Sequence, residues 1–333
     1  KLPYACGGIV VAGVLYLILA VIIKMVGVKR AMHFLPPVVT GPIIICIGLS
    51  LAPSAVSNVQ TNWLLAIVAF AIIVIFNIWG KGMFKIIPIL LGIAGSYAVA
   101  LILHACGITN PDGSAIFDFT SVASASWVDI PPFQLCKFNL TAILAMAPIA
   151  VASMMEHIGD ISAISATVGE NFVEDPGLHR TLIGDGLATS ISALFGGPAN
   201  TTYGENTGVL ELSRVHDPKV IRLAACYAIV LSFIPKFAQI ISTMPIAIVG
   251  GVSFILYGMI AAIGVRNVVE NKVDFTDSRN LIIAATILVC GLGFSDGLTF
   301  NVAGTSITLT GLAIAAIMGV ALNAILPEKK TEA

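Results

Sequence analysis

Apolar runs long enough to cross a lipid bilayer recur along almost the whole sequence, and they leave few folds open. A spanning helix needs about 20 mostly apolar residues. Stretches of that character stand near 6–24, 36–56, 63–79, 86–106, 140–164, 181–196, 202–213, 219–235, 238–264, 280–294 and 306–326. The runs at 181–196 and 202–213 are short and rich in Gly and Thr. Only 11% of the 333 residues are Asp, Glu, Lys or Arg, against roughly a quarter in an average soluble domain. So few charges cannot cover a water-facing surface, which excludes a soluble enzyme or nucleic-acid binder. A net charge of −1 points to no strongly charged partner. The expected fold is an all-α polytopic membrane protein.

Basic residues orient the spans, because Lys and Arg accumulate in cytoplasmic loops. Lys24, Lys29, Arg30, Lys81, Lys85, Arg180, Arg214, Lys219, Arg222, Arg266, Lys272, Arg279, Lys329 and Lys330 fall on one side, and only Lys1, Lys137 and Lys236 on the other. The C-terminus is expected inside and Lys1 outside. A chain that starts outside with neither Met nor signal peptide reads as lacking an odd number of spans. An internal repeat agrees. Leu35-Pro36-Pro37-Val38-Val39-Thr40-Gly41 matches Met244-Pro245-Ile246-Ala247-Ile248-Val249-Gly250 at one offset (244 − 35 = 209), entering the membrane from opposite sides. Inverted repeats of this kind mark many secondary transporters. The partner of segment 140–215 would precede residue 1, so the expectation is that three N-terminal spans are missing.

Charges at bilayer depth are costly and usually functional. The candidates are Glu156, Asp160, Asp185, Glu205 and Glu211. Glu156 and Asp160 stand four apart and share one helix face. Two dehydrated carboxylates in close company cannot both ionise cheaply, so one of them can take up and release a proton. His157 points about 100° away and reads as a packing or supporting group. Asp185 suggests a structural or gate contact near a helix end. In Pro198-Ala199-Asn200-Thr201-Thr202-Tyr203-Gly204-Glu205-Asn206-Thr207-Gly208, Thr201 to Tyr203 favour an extended strand. Asn206 or Thr207 would cap a half-helix from Val209. Backbone broken at membrane depth survives only around a protein-lined cavity, and its free N–H groups are then offered to a solute. Carboxylates and amides with no basic side chain favour a neutral planar solute bearing N–H and C=O groups, such as a nucleobase. No cysteine spacing suits a metal.

These residues resemble the nucleobase–ascorbate transporter family, in its uracil-type members. Glu205-Asn206-Thr207-Gly208, then four residues, Ser213 and Arg214 fit the family signature; Asn200-Thr201-Thr202-Tyr203-Gly204 precedes it. Met155-Glu156-His157-Ile158-Gly159-Asp160, Pro176-Gly177-Leu178-His179-Arg180, Gly250-Gly251-Val252-Ser253 and Tyr257-Gly258 also match, from about Pro3 to Pro327. The resemblance implies fourteen spans in a seven-plus-seven inverted repeat with core and gate domains, of which this chain covers spans four to fourteen. The division it implies is 1–35 core, 36–139 gate, 140–236 core with the substrate site, and 237–333 gate with a cytoplasmic tail. It implies that Glu156 and Glu205 bind the pyrimidine, that Gly204 offers backbone contacts and that Tyr203 and Tyr257 lie close by, with Asn206 and Gly208 supporting. Some members carry His where this chain has Asp160, and there the position is linked to proton coupling. Asp160 with Glu156 is therefore expected to hold the coupling proton, with no other cofactor. A homodimer in the bacterial cytoplasmic membrane, with no nucleic-acid partner, completes the expectation: proton-coupled uracil uptake by alternating access. A xanthine or other purine symporter is the neighbouring alternative, and an anion carrier or channel a more distant one. An intramembrane aspartyl protease would need Gly-x-Gly-Asp before its acid, and Leu182 stands where the first Gly belongs.

Overall fold

The computed structural model describes residues 2–27, 36–200, 202, 206, 210, 214–302 and 305–327. Along it, α1 covers Leu2–Val26, α2 Pro37–Gln60, α3 Trp63–Trp79, α4 Met83–Ile86, α5 Pro88–Ala105 and α6 Thr120–Ser124. Then come α7 (Leu140–Val168), α8 (Leu178–Leu194), α9 (Pro218–Ser232), α10 (Pro235–Ser242), α11 (Ile246–Glu270) and α12 (Ser278–Gly293). A hairpin of β1 (Leu298–Val302) and β2 (Thr305–Leu309) precedes α13 (Gly311–Ile325). The protein is all-α apart from that hairpin among the described residues.

Local chemistry sets the helix ends. Asn139 caps α7, its side chain accepting from Thr141 N–H, and Gly169 closes it in the left-handed conformation at φ 82°. Asp217 and Asp277 cap α9 and α12 in the same way. Among the described residues, five helices are long and apolar enough to cross a membrane: α1, α2, α5, the Leu140–Ile161 part of α7, and α11. The α9–α10 pair, bent by 92°, passes the same test as one broken span.

Three expected spans are corrected. The helix of the 219–235 run ends at Ser232, and the run at 238–264 is broken between Ser242 and Ile246, since Pro235 and Pro245 disfavour α conformation in the residues before them. The last run, expected from 306, opens as strand and turns helical at Gly311, with β1 in the stretch between it and the run at 280–294. Leu298 pairs with Leu309 and Val302 with Thr305 in an antiparallel register. Thr, Ile, Val and Phe in these two segments prefer a pleated chain to a helix. The strand expected near Thr201–Tyr203 falls mostly outside the described residues; Thr202 itself is in neither helix nor strand.

Two compact units form, one from 1–50, 133–207 and 259–333, the other from 51–132 and 208–258. In the first unit, α1 lies against α7 and α8, α13 against α7 and α12, and β2 against α7. Its core is built from Tyr16, Ile23, Ile43, Ile158, Leu178, Leu182, Ile283 and Ile287 with their neighbours. The start of α2 meets the end of α11 there: Asn267 donates to Thr40 Oγ1 at 3.1 Å, and a Cβ on Gly264 would stand 2.7 Å from the Gly41 carbonyl. These helices begin at Pro37 and Ile246, the same offset as the sequence repeat.

The second unit packs α3 against α5 around Leu65, Ala69, Ile73, Ala100 and Ile248. The polar stretch after α5 folds back onto it, burying Ile116 and Phe117; the Phe117 ring stacks on Phe119 at 5.1 Å and meets Tyr97 at 4.9 Å. Asp112 and Asp118 tie this stretch into turns, and hydrogen bonds from Ser114 and Thr120 hold their carboxyls below the usual range. Lys236, one of the basic residues on the sparse side, donates to the Val122 carbonyl at 3.3 Å and lies over the Trp127 ring.

Candidate functional site

In the first unit, α7 carries an uninterrupted apolar stretch that turns polar at Glu156, His157 and Asp160. Asp160 is 3% exposed and His157 4%, about two turns or more before the helix ends at Val168. Glu156, one turn earlier, is half-buried. A carboxyl this deep needs a polar environment, because an isolated buried charge is unaffordable in a low-dielectric medium. Beside these carboxyls on α7, His157 meets polar groups from α1 and α8.

From α8, Asp185 Oδ2 stands 3.1 Å from His157 Nδ1, and both side chains are nine-tenths buried. Thr181, one turn before Asp185, places its hydroxyl 3.0 Å from His157 Nε2. Thr202 Oγ1 lies 2.8 Å from Nδ1. From α1, Tyr16 sets its ring edge-on to the imidazole, with centroids 6.4 Å apart. The Tyr16 hydroxyl faces Ser153 and lies within the field of both Asp185 and Glu156. Tyr16, Ser153, His157, Thr181 and Asp185 from three helices, with Thr202 beyond them, thus converge on one buried point.

Close helix contact makes this possible. A Cβ on Gly186 would stand 2.6 Å from Tyr16 Cβ and 2.7 Å from the Gly13 carbonyl. Ser190 donates to the Val10 carbonyl at 3.2 Å in the same seam. Small residues at a membrane helix crossing allow such approach. Beyond α8 the chain is held by Ser192, which donates to the Pro198 carbonyl at 2.9 Å, and by Thr189, which donates to the Asn200 carbonyl at 3.1 Å. These bonds fix the segment that leads into Thr202.

Of the residues singled out from sequence, Glu156 and Asp160 therefore share α7 with this polar point. Asn206 has helical backbone and is exposed. Tyr257 is half-buried on α11, within the second unit. Tyr203, Gly204, Glu205 and Gly208, and with them Glu211, lie outside the described residues. Asp185 departs from its expected place near a helix end: it sits two turns into α8, against His157. The sequence reading missed Tyr16, Thr181 and the His157–Asp185 pair. His157 and Asp185 are too far apart in sequence for any helical spacing to join them, and a tyrosine in an apolar helix carries no signal of its own.

Comparison with known proteins places this arrangement. The model of a protein family described as a permease family matches residues 1–300. The chain is 40% identical to the uracil permease of Bacillus subtilis, over 98% of this chain and 76% of that protein. It is 39% identical to the uracil permease of Bacillus caldolyticus (96% and 74%) and 35% identical to that of Escherichia coli K12 (96% and 74%). A buried polar centre among bilayer-length helices is what moving a polar solute through lipid requires. The chain belongs to this permease family and is a multi-pass membrane transporter, not an enzyme.

Proposed function

We propose that the protein takes up uracil across the bacterial cytoplasmic membrane by alternating access, coupled to protons. The observation that carries this reading is the buried polar point on α7, where Glu156 and Asp160 face a protein interior, in a chain whose relatives are uracil permeases. Uracil is uncharged and presents two ring N–H donors and two carbonyl acceptors. Glu156 and Glu205 accept from the N–H groups, and the Gly204 backbone serves the carbonyls. Tyr203 and Tyr257 flank the ring, and Asn206 and Gly208 hold the break in shape. Glu156 and Asp160 share the coupling proton, since two carboxylates one turn apart in a dry site favour a single negative charge. Segments 1–35 and 140–236 act as a core that moves against a gate formed by 36–139 and 237–333. The C-terminus lies in the cytoplasm, on the side where Lys and Arg gather, and the protein works as a homodimer.

Competition tests the substrate. Unlabelled uracil should suppress uptake of labelled uracil completely, while equal xanthine leaves most of it. Strong inhibition by xanthine with none by pyrimidines would reverse the assignment in favour of a purine symporter.

The proton is tested separately. With Asp160→Asn, uracil binding should persist while acid stimulation of uptake shrinks towards a flat profile. The sign follows from the chemistry: Asn cannot take up the proton that acidic medium supplies. An unchanged pH profile, or one that follows sodium instead of pH, overturns the role of Asp160.

A further inference from the structure

We propose that α10 lies flat in the membrane surface, and that its face of Phe237, Ile240 and Ile241 binds phospholipid at the boundary between headgroups and chains. The helix is turned inside out for water. Phe237, Ile240 and Ile241 stand at i, i+3 and i+4 and so form one stripe; they are 42%, 45% and 51% exposed. Lys236, Gln239 and Thr243 share another face and are half-buried. Water would favour the opposite arrangement, since hiding each large apolar side chain gains about 1.5–3 kcal/mol. An apolar stripe outward with a lysine inward suits surroundings that are themselves apolar.

Polar bonds secure the inward face, where α10 packs on α6. Lys236 donates to the Val122 carbonyl and covers the Trp127 ring. The Thr243 hydroxyl lies 3.3 Å from that of Tyr97. Just before the bend, the Phe233 carbonyl accepts from Asp129 N–H at 3.1 Å. All these residues belong to the second unit. The same bonds hold the exposed Trp127, Val128 and Ile130 beside the bend, and Trp gathers at membrane–water interfaces.

Depth and direction agree with this placement. With 15 residues, α9 is about 22 Å long, roughly 8 Å short of a hydrocarbon core of about 30 Å. Measured from its basic end at Lys219 and Arg222, α9 therefore stops about 8 Å below the opposite boundary. There the chain bends by 92° into α10. Interfacial amphipathic helices bury their apolar face about 5–10 Å into that boundary. The size of the stripe favours lipid over a second copy of the chain. A helix of 8 residues is about 12 Å long, so one face offers on the order of 100 Å², against about 800 Å² a side in a stable protein interface. Lipid needs no such area, because it continues from the lipid around α9, which is exposed along its whole length. The inference requires only a chain that crosses a membrane and does not draw on the uracil reading.

Tryptophan fluorescence in phosphatidylcholine vesicles tests the placement. With Trp63, Trp79 and Trp127 changed to Phe, no native tryptophan remains. In that background Phe237→Trp or Ile240→Trp puts one reporter on the stripe. Ser242→Trp puts one on an exposed position about 140° round the helix from Phe237. Lipids brominated near the headgroup end should quench both stripe reporters by more than half. Lipids brominated near the chain ends should quench them far less, and aqueous iodide should barely reach them. Ser242→Trp should respond to iodide and not to brominated lipid. A second reading keeps the native tryptophans: with Phe237 replaced by benzoylphenylalanine, illumination should add the mass of one phospholipid. Iodide quenching of the stripe overturns the proposal in favour of water, and a crosslinked dimer overturns it in favour of a second copy. Strongest quenching from the chain ends means a helix at span depth, and reporters untouched by either quencher mean that the protein itself covers the stripe; both defeat the proposal.

Discussion

Glu156→Gln should abolish uracil uptake while the protein is made and folds normally. Gln keeps the size and shape of Glu, so packing on half-buried α7 is preserved. What changes is the chemistry at two atoms. The carboxylate accepts from the N–H groups of the ring in charge-assisted bonds, each worth about 1.5–3 kcal/mol. The amide nitrogen offers hydrogens instead, and a ring donor then faces a donor. Leaving a buried polar group unsatisfied costs a further 1–3 kcal/mol or so. Together these amount to about 3–6 kcal/mol, or roughly 100- to 10,000-fold in affinity at 1.4 kcal/mol per tenfold. Gln also cannot carry a proton, so coupling fails along with binding. Labelled uptake into vesicles, set beside the yield of monodisperse protein, measures both. Retained transport removes Glu156 from the mechanism; lost protein together with lost transport makes its role structural.

How far the sequence foretold this site depends on the range of each signal. The caps of α7 are local, Asn139 at one end and Gly169 at the other, and so is the pairing of Glu156 with Asp160 on one face. A scarcity of charge already fixed the membrane class. Strand-forming Thr, Ile and Val in 298–309 gave the same local signal that suggested a strand at Thr201–Tyr203, yet the adjoining apolar run masked it. The hairpin is therefore a misreading of available information. The His157–Asp185 contact is different in kind. It joins α7 to α8, beside a seam between α1 and α8 that depends on Gly13, Gly186 and Ser190 all being small, and no spacing within any one helix announces that seam. The partners Tyr16 and Thr181 were beyond reach for the same reason. A buried polar centre is assembled by packing, and sequence shows its ingredients before it shows their meeting.

That seam makes the second large effect. Gly186→Ala should destabilise the protein and disable the polar centre, whereas Gly184→Ala, two residues away, should be neutral or mildly stabilising. Both glycines lie in α8, where alanine gains about 1 kcal/mol over glycine in helix propensity. They differ in the face they present. A Cβ on Gly184 meets nothing within 4 Å. One on Gly186 stands 2.6 Å from Tyr16 Cβ and 2.7 Å from the Gly13 carbonyl, and neither is the tip of a flexible side chain that could swing aside. Relief requires α1 and α8 to separate, and overpacking of this kind costs about 1–3 kcal/mol or more. Separation carries Tyr16 and Asp185 away from His157, so transport should fall more steeply than thermal stability. Thermal unfolding in detergent and uptake in vesicles, measured on both variants, decide the matter. Equal behaviour of the two alanines would mean that the α1–α8 contact does not hold the centre together.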